Sequence, residues 1–205
     1  MNVKKTILML FLCVTANLYA QGNAEDSLAA LLNNYHTMQA QFTEKTLTSK
    51  GGAVTSTHGD IAFQRPDLFR WYTVLPSRQL IINSGQKLAI YDVDLAQVTY
   101  KNLDEQNDAT PALLLSGNVD KLKEQYNITA CANTTADCYQ LSAKNDNDVF
   151  RRLTIRFSNN TLKSMVIDNN LDQTTEIQFN NVKINTTLKP SLFKLNLPAG
   201  VDVVQ

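Results

Sequence analysis

The sequence predicts an α+β fold: a single domain built on a long, curved antiparallel sheet, with an N-terminal helix and short helical segments over its concave face. Three observations predict it. One segment near the N-terminus has helical spacing. Almost everything after residue 43 alternates with a period of two, broken by turns rich in Gly and Asn. One short apolar insert interrupts that alternation, and no linker or shift in composition divides the chain. A meander this long must curl, because sheets twist and large flat ones are rare.

The first residues stand apart from this domain. Lys4 and Lys5 precede the apolar run "TILMLFLCVTA" at residues 6–16. That run has signal-peptide length and falls short of the roughly 20 apolar residues that span a bilayer. Cleavage after Ala20 is expected, with Ala16 as the alternative, so residues 1–20 form the signal and 21–205 the domain. Leu12, not a small residue, precedes Cys13, which argues against a lipid anchor. Without Lys4 and Lys5 the chain carries 17 basic and 19 acidic residues, a net charge of −2. With no basic stripe and a net charge of the wrong sign for phosphate, nucleic acid is not an expected partner.

Residues 25–42, "EDSLAALLNNYHTMQAQF", place Leu28, Leu31, Leu32, Tyr35, Met38 and Phe42 on one side of a helix, with Asp26 as its N-cap. Residues 43–65 read as a hairpin turning near Gly51 and Gly52. "FRWYTVL" is the next strand, followed by a hairpin turning at Asn83, Ser84 and Gly85, and then by "AQVTYKNL". Thr110 and Pro111 open a short helix, "ALLLS", which Gly117 stops. "NVDKLKEQY" forms a second, and five further strands with Asn-rich turns follow. "PSLFKLNLPAGVDVVQ" supplies a last strand and a Pro-Gly tail.

After signal removal two cysteines remain, Cys131 and Cys138 in "CANTTADC". In an exported chain this pair predicts a disulfide stapling a hairpin, where a redox pair would be C-x-x-C. No nucleophile elbow, phosphate-cradling glycine loop or zinc-binding pair of histidines occurs. No catalytic residue, metal or cofactor is therefore assigned. His36 and His58 are read as structural or solvated, and Asp92 and Asp94 of "YDVD" as solvated turn carboxylates.

What stands out is apolar. Phe69 and Trp71 share one strand face, Arg70 points the other way onto solvent, and Leu88 and Ile90 alternate with Ala89 and Tyr91. From periodicity alone, an ordinary core under the N-terminal helix is the plainer reading. The insert is the exception. A helix as short as Leu113, Leu114 and Leu115 allow is unstable alone and must lie on something apolar, as a lid does.

Taken together, "RPDLFRWYTVLP" at 65–76, "INSGQKLAIYDVDLAQVT" at 82–99, "TPALLLSG" at 110–117 and "LPAGVDVV" at 197–204 resemble the LolA family of outer-membrane lipoprotein carriers. The order and spacing agree over roughly residues 24–205. Where some relatives carry tryptophan this chain has Ala89, which is expected to change the shape of the cavity.

The resemblance implies an incomplete β-barrel covered by helices, located in the periplasm. It implies a chaperone without bond chemistry, acting as a monomer, that accepts lipid-modified proteins from an inner-membrane lipoprotein-releasing ABC transporter. It implies delivery to an outer-membrane lipoprotein receptor. Mapped onto this chain, Arg65 is the lid latch, bonding carbonyls of the covering helical segment. Phe69, Trp71, Ile81, Leu88 and Ile90, with Leu113, Leu114 and Leu115 of the lid, contact acyl chains. An envelope sensory or lipid-binding module on the same half-barrel is the alternative, and a hydrolase of envelope lipids a third.

Overall fold

The computed structural model describes residues 16–48, 52–84, 87–102, 119–132, 134, 137–145 and 150–204. Helix α1 (Ala16–Asn33) leads into β1 (Thr37–Thr48), and five antiparallel strands follow in meander order. They are β2 (Ala53–Gln64), β3 (Leu68–Leu75), β4 (Gln79–Ser84), β5 (Lys87–Asp92) and β6 (Gln97–Asn102). Helix α2 (Val119–Gln125) then opens the second half: β7 (Tyr126–Ala130), β8 (Cys138–Ala143), β9 (Phe150–Ser158), β10 (Thr161–Asn169) and β11 (Gln173–Ile184). A 3-10 turn at Pro190–Phe193 and a short β12 (Asp202–Val204) end the described chain.

The strands form one 12-stranded sheet in the order β12-β6-β5-β4-β3-β2-β1-β11-β10-β9-β8-β7. Its two ends do not pair, so the barrel is incomplete, as expected. Curvature follows from the packing. Phe69 and Ile81 near one end belong to the same apolar cluster as Leu141 and Leu153 near the other, together with Leu28 and Leu32 of α1. A flat sheet cannot bring those strands to one cluster. The parallel pairing of β12 with β6 departs from the antiparallel pattern, with Asp202 opposite Gln97.

The expected helix over 25–42 is corrected at both ends. It stops at Asn33, and Met38 and Phe42 lie on β1. Met38, Ala40 and Phe42 are buried in alternation, so the same residues that fit a helical stripe also fit a strand. The side chain of Asn185 fixes the junction: its Oδ1 accepts from the His36 N–H at 2.9 Å and its Nδ2 donates to the Asn34 carbonyl at 2.7 Å. Asp26 caps nothing. It sits inside α1, exposed, where the Lys123 ammonium donates to it at 3.0 Å.

The disulfide is present, with Cα atoms of Cys131 and Cys138 5.3 Å apart. It crosses the β7–β8 hairpin beside the Cys131 N–H bond to the Cys138 carbonyl at 2.9 Å. The chain's end does more than supply a last strand. Leu188 and Phe193 pack on Ala62, and Leu195, Leu197 and Val201 pack around Tyr91 and Val98, covering the outer face of β2–β6.

Candidate functional site

Register alone assigns the inner face. Met38, Ala40 and Phe42 of β1 stand opposite Phe63, Ile61 and Gly59 of β2, and Phe63 and Ile61 stand opposite Phe69 and Trp71 of β3. Trp71 then faces Ile81, and Ile81 faces Ile90. Leu88 joins the same row two residues from Ile90. The five residues expected from sequence in this half of the sheet therefore share one surface, which period two alone did not decide for Ile81, Leu88 and Ile90.

This surface is continuous and closed in the structure. Phe69 is 0% and Trp71 3% exposed. The Phe42 and Trp71 rings stack with centroids 3.8 Å apart. Gly59 permits this contact, since a Cβ there would overlap the Tyr72 carbonyl oxygen and touch the Phe42 ring. Leu113, Leu114 and Leu115 lie outside the described residues.

Ala89 corrects one expectation. It lies on the outer face with Tyr91 and Val98, paired with Ile82, and does not shape the inner surface. Arg70 corrects another. It is half-buried, not solvated, with its guanidinium 5.0 Å from the Tyr72 ring. The returning C-terminal segment is the cause: Arg70 lines two adjoining outer-face grooves of about 590 and 680 Å³ with Leu192.

Arg65 occupies the β2–β3 turn, immediately before a cis Arg65–Pro66 peptide bond, with Asp67 at φ 61°. Its Nε donates to the Tyr35 carbonyl at 2.9 Å, and its backbone N–H donates to the His36 carbonyl at 2.9 Å. Its guanidinium carbon lies 5.9 Å from the Phe63 ring. Burial holds the Arg65 pKa below the usual arginine value. The described acceptor thus lies two residues past the C-terminal end of α1, close to the end of the helix that favours a cation.

Tyr35 carries the tie across the barrel. Its hydroxyl donates to the Asn160 carbonyl at 2.7 Å and accepts from the Leu162 N–H at 2.8 Å. Burial raises its pKa. Arg65 on the first half of the sheet is thereby linked through Tyr35 to the β9–β10 turn on the second. Sequence reading had placed Tyr35 only on an apolar helix face, because a single tyrosine does not announce its hydroxyl's partners.

Two polar groups on the inner face were also missed. Glu44 follows Phe42 by two residues and stands opposite Thr57 and Ile177, where burial raises its pKa above the usual carboxylate range. Asn83, read as a turn residue, is instead the next-to-last residue of β4, in register with Phe69 and Leu88. The carboxylates at 92 and 94 have local duties. Asp92 accepts from the Leu95 N–H at 3.0 Å, and Asp94 receives the Arg78 guanidinium at 2.8 Å. His36 and His58 are exposed, as a solvated reading requires.

Comparison with known proteins agrees with this geometry. A family model described as outer membrane lipoprotein carrier protein LolA matches residues 33–196. An outer-membrane lipoprotein carrier protein of Pseudomonas fluorescens is 37% identical over 207 residues, covering 100% of both chains. One from Coxiella burnetii is 36% identical over 187 residues, covering 91% of this chain and 89% of its own. Among solved structures, a LolA superfamily protein from Nitrosomonas europaea superposes with a TM-score of 0.50 at 10% identity, over 84% of this chain and 97% of that one. An uncharacterized conserved protein from Thermus thermophilus gives 0.57 at 11%, over 89% and 98%. At those identities the two structures speak to the fold alone. The family model and the relatives speak to descent along the chain, and by them the chain belongs to the outer membrane lipoprotein carrier protein LolA family.

Proposed function

We propose that the protein is a periplasmic chaperone that shields the acyl chains of lipoproteins and carries them to the outer membrane. In this reading residues 1–20 are a cleaved export signal. The cargo arrives from an inner-membrane ABC transporter, leaves to a receptor at the outer membrane, and undergoes no bond chemistry. The observation that carries the reading is the predominantly apolar inner face from Phe42 and Trp71 to Ile81 and Leu88. The names of the relatives point the same way.

The physics of the task explains the design. Burying one CH₂ contributes about 0.8 kcal/mol, so three chains of about 16 carbons cost roughly 40 kcal/mol to expose fully to water. Unescorted crossing of an aqueous compartment is ruled out. A carrier needs a large apolar surface, and that surface must be covered when empty, since a standing apolar patch aggregates. The buried state of Phe69 and Trp71 is that covered state. In this reading opening moves α1 away from the sheet, and Arg65 holds the closed form through the Tyr35 carbonyl.

The test is a release assay. Purified protein incubated with inner-membrane vesicles bearing the transporter is expected to bring a triacylated lipoprotein into the soluble fraction, and only with ATP present. Lipoprotein that stays in the membrane under those conditions contradicts the carrier role.

A further inference from the structure

We propose that Asn83 is a polar recognition point set into the apolar inner face, and that its ligand is a secondary amide adjoining an acyl chain. This inference rests on the carrier reading and deepens it, by naming the part of the cargo that the face recognises.

Asn83 is 3% exposed. Its neighbours in register are Phe69 on β3 and Leu88 on β5, and it follows Ile81 by two residues, so it points to the same face. Its Oδ1 is fully buried and has no hydrogen-bond partner among the described residues. A buried carbonyl left unmatched costs more than a made bond contributes, so a leucine of the same shape would serve the closed, empty protein better. The side chain is therefore suited to a state in which something else occupies the face.

The chemistry of the missing partner is constrained. Acyl methylenes neither donate nor accept, so the partner lies where a chain is attached. An ester offers only acceptors. A secondary amide offers an N–H for Oδ1 and a carbonyl for Nδ2, and so can engage both ends of the carboxamide. The cargo's N-acyl linkage has this form.

The position supports that assignment. Phe69 opposite Asn83 is the second residue of β3, directly after the turn that carries Arg65. The polar end of a bound lipid would lie beside the latch, and its chain would run along the face past Trp71 toward Phe42.

Two water-soluble lipopeptides with one peptide and one palmitoyl chain test this, the chain joined through an amide in the first and an ester in the second. Titration against wild type, followed by Trp71 fluorescence, is expected to show the amide-linked probe bound about five- to tenfold more tightly, the worth of one additional hydrogen bond. Asn83→Leu and the smaller Asn83→Ala are both expected to bind the two probes alike, by loss on the amide side. A wild type that binds both probes equally, or variants that keep the preference, overturns the role of Asn83 and leaves the carrier reading standing. A wild type that binds neither overturns both.

Discussion

Among the described residues, replacing Arg65 with leucine removes the charge-assisted hydrogen bond from Nε to the Tyr35 carbonyl at 2.9 Å, and leaves the backbone bond to the His36 carbonyl in place. A hydrogen bond to a charged group contributes about 1.5–3 kcal/mol, so its loss shifts the balance between closed and open forms by about 10- to 150-fold toward open. In the proposed cycle cargo binds only the open form, so its apparent affinity rises with the open population, up to the same factor. Hand-over is downhill by only a few kcal/mol if the receptor is to win without an energy source at the outer membrane, and a gain of 1.5–3 kcal/mol in the carrier erases about that much.

Arg65→Leu is therefore expected to acquire lipoprotein normally and to retain it. The assay loads wild type and variant with a fluorescently labelled lipoprotein, adds receptor-bearing membranes, and follows fluorescence leaving the soluble fraction. Transfer from the variant at the wild-type rate would refute the latch. A matching thermal melt guards against simple misfolding, because the Tyr35 hydroxyl bonds that hold the β9–β10 turn are untouched by the change.

Gly59→Ala drives a Cβ into the Tyr72 carbonyl and the Phe42 ring, so urea denaturation is expected to show a loss of about 3 kcal/mol, and an unchanged midpoint would contradict the close approach of β2 and β3. Replacing Cys131 and Cys138 together by serine opens a loop of about eight residues, which costs about 2.5 kcal/mol and lowers Tm by about 5–10 °C. Lipoprotein transfer by that double variant is expected to persist, since the bridge lies at the β7–β8 edge, away from Arg65 and Trp71. Glu44 has its pKa raised by burial, so the folded protein holds this proton more tightly than the unfolded chain. Its destabilising effect is absent below the usual glutamate range and sets in as pH rises from that range through the raised pKa. Glu44→Gln is thus expected to melt at a higher temperature than wild type at pH 7.5 and to differ little at pH 4, and equal gains at both pH values would exclude the titration.

The strands were legible because period two with turn residues survives any detail of packing. The β2–β3 turn at Arg65 and Pro66 was read correctly for that reason, while the apolar insert lies outside the described residues. The N-terminal boundary was not, because Leu28, Leu31, Leu32 and Tyr35 run into Met38 and Phe42 without breaking a helical stripe. Only the tertiary partners of Asn185 show where helix becomes strand. Which face is inner was not legible for Ile81 or Ala89, because the sheet's outer side also carries apolar residues, buried there by Leu195, Leu197 and Val201. Arg70 was misread for the same cause. Within the site, aromatic bulk identified Phe69 and Trp71, while the roles of Tyr35, Glu44 and Asn83 depend on contacts across more than 10 residues of chain and leave no local pattern.

The most direct test is to recover the mature protein from the periplasm of cells with a block in outer-membrane delivery, and to identify by intact-complex mass spectrometry what travels with it. A carrier is expected to hold polypeptides with acylated N-terminal cysteines, of several sequences, at no more than one per protein. A protein that is always empty under the block, or that holds one unlipidated partner, would contradict the central claim.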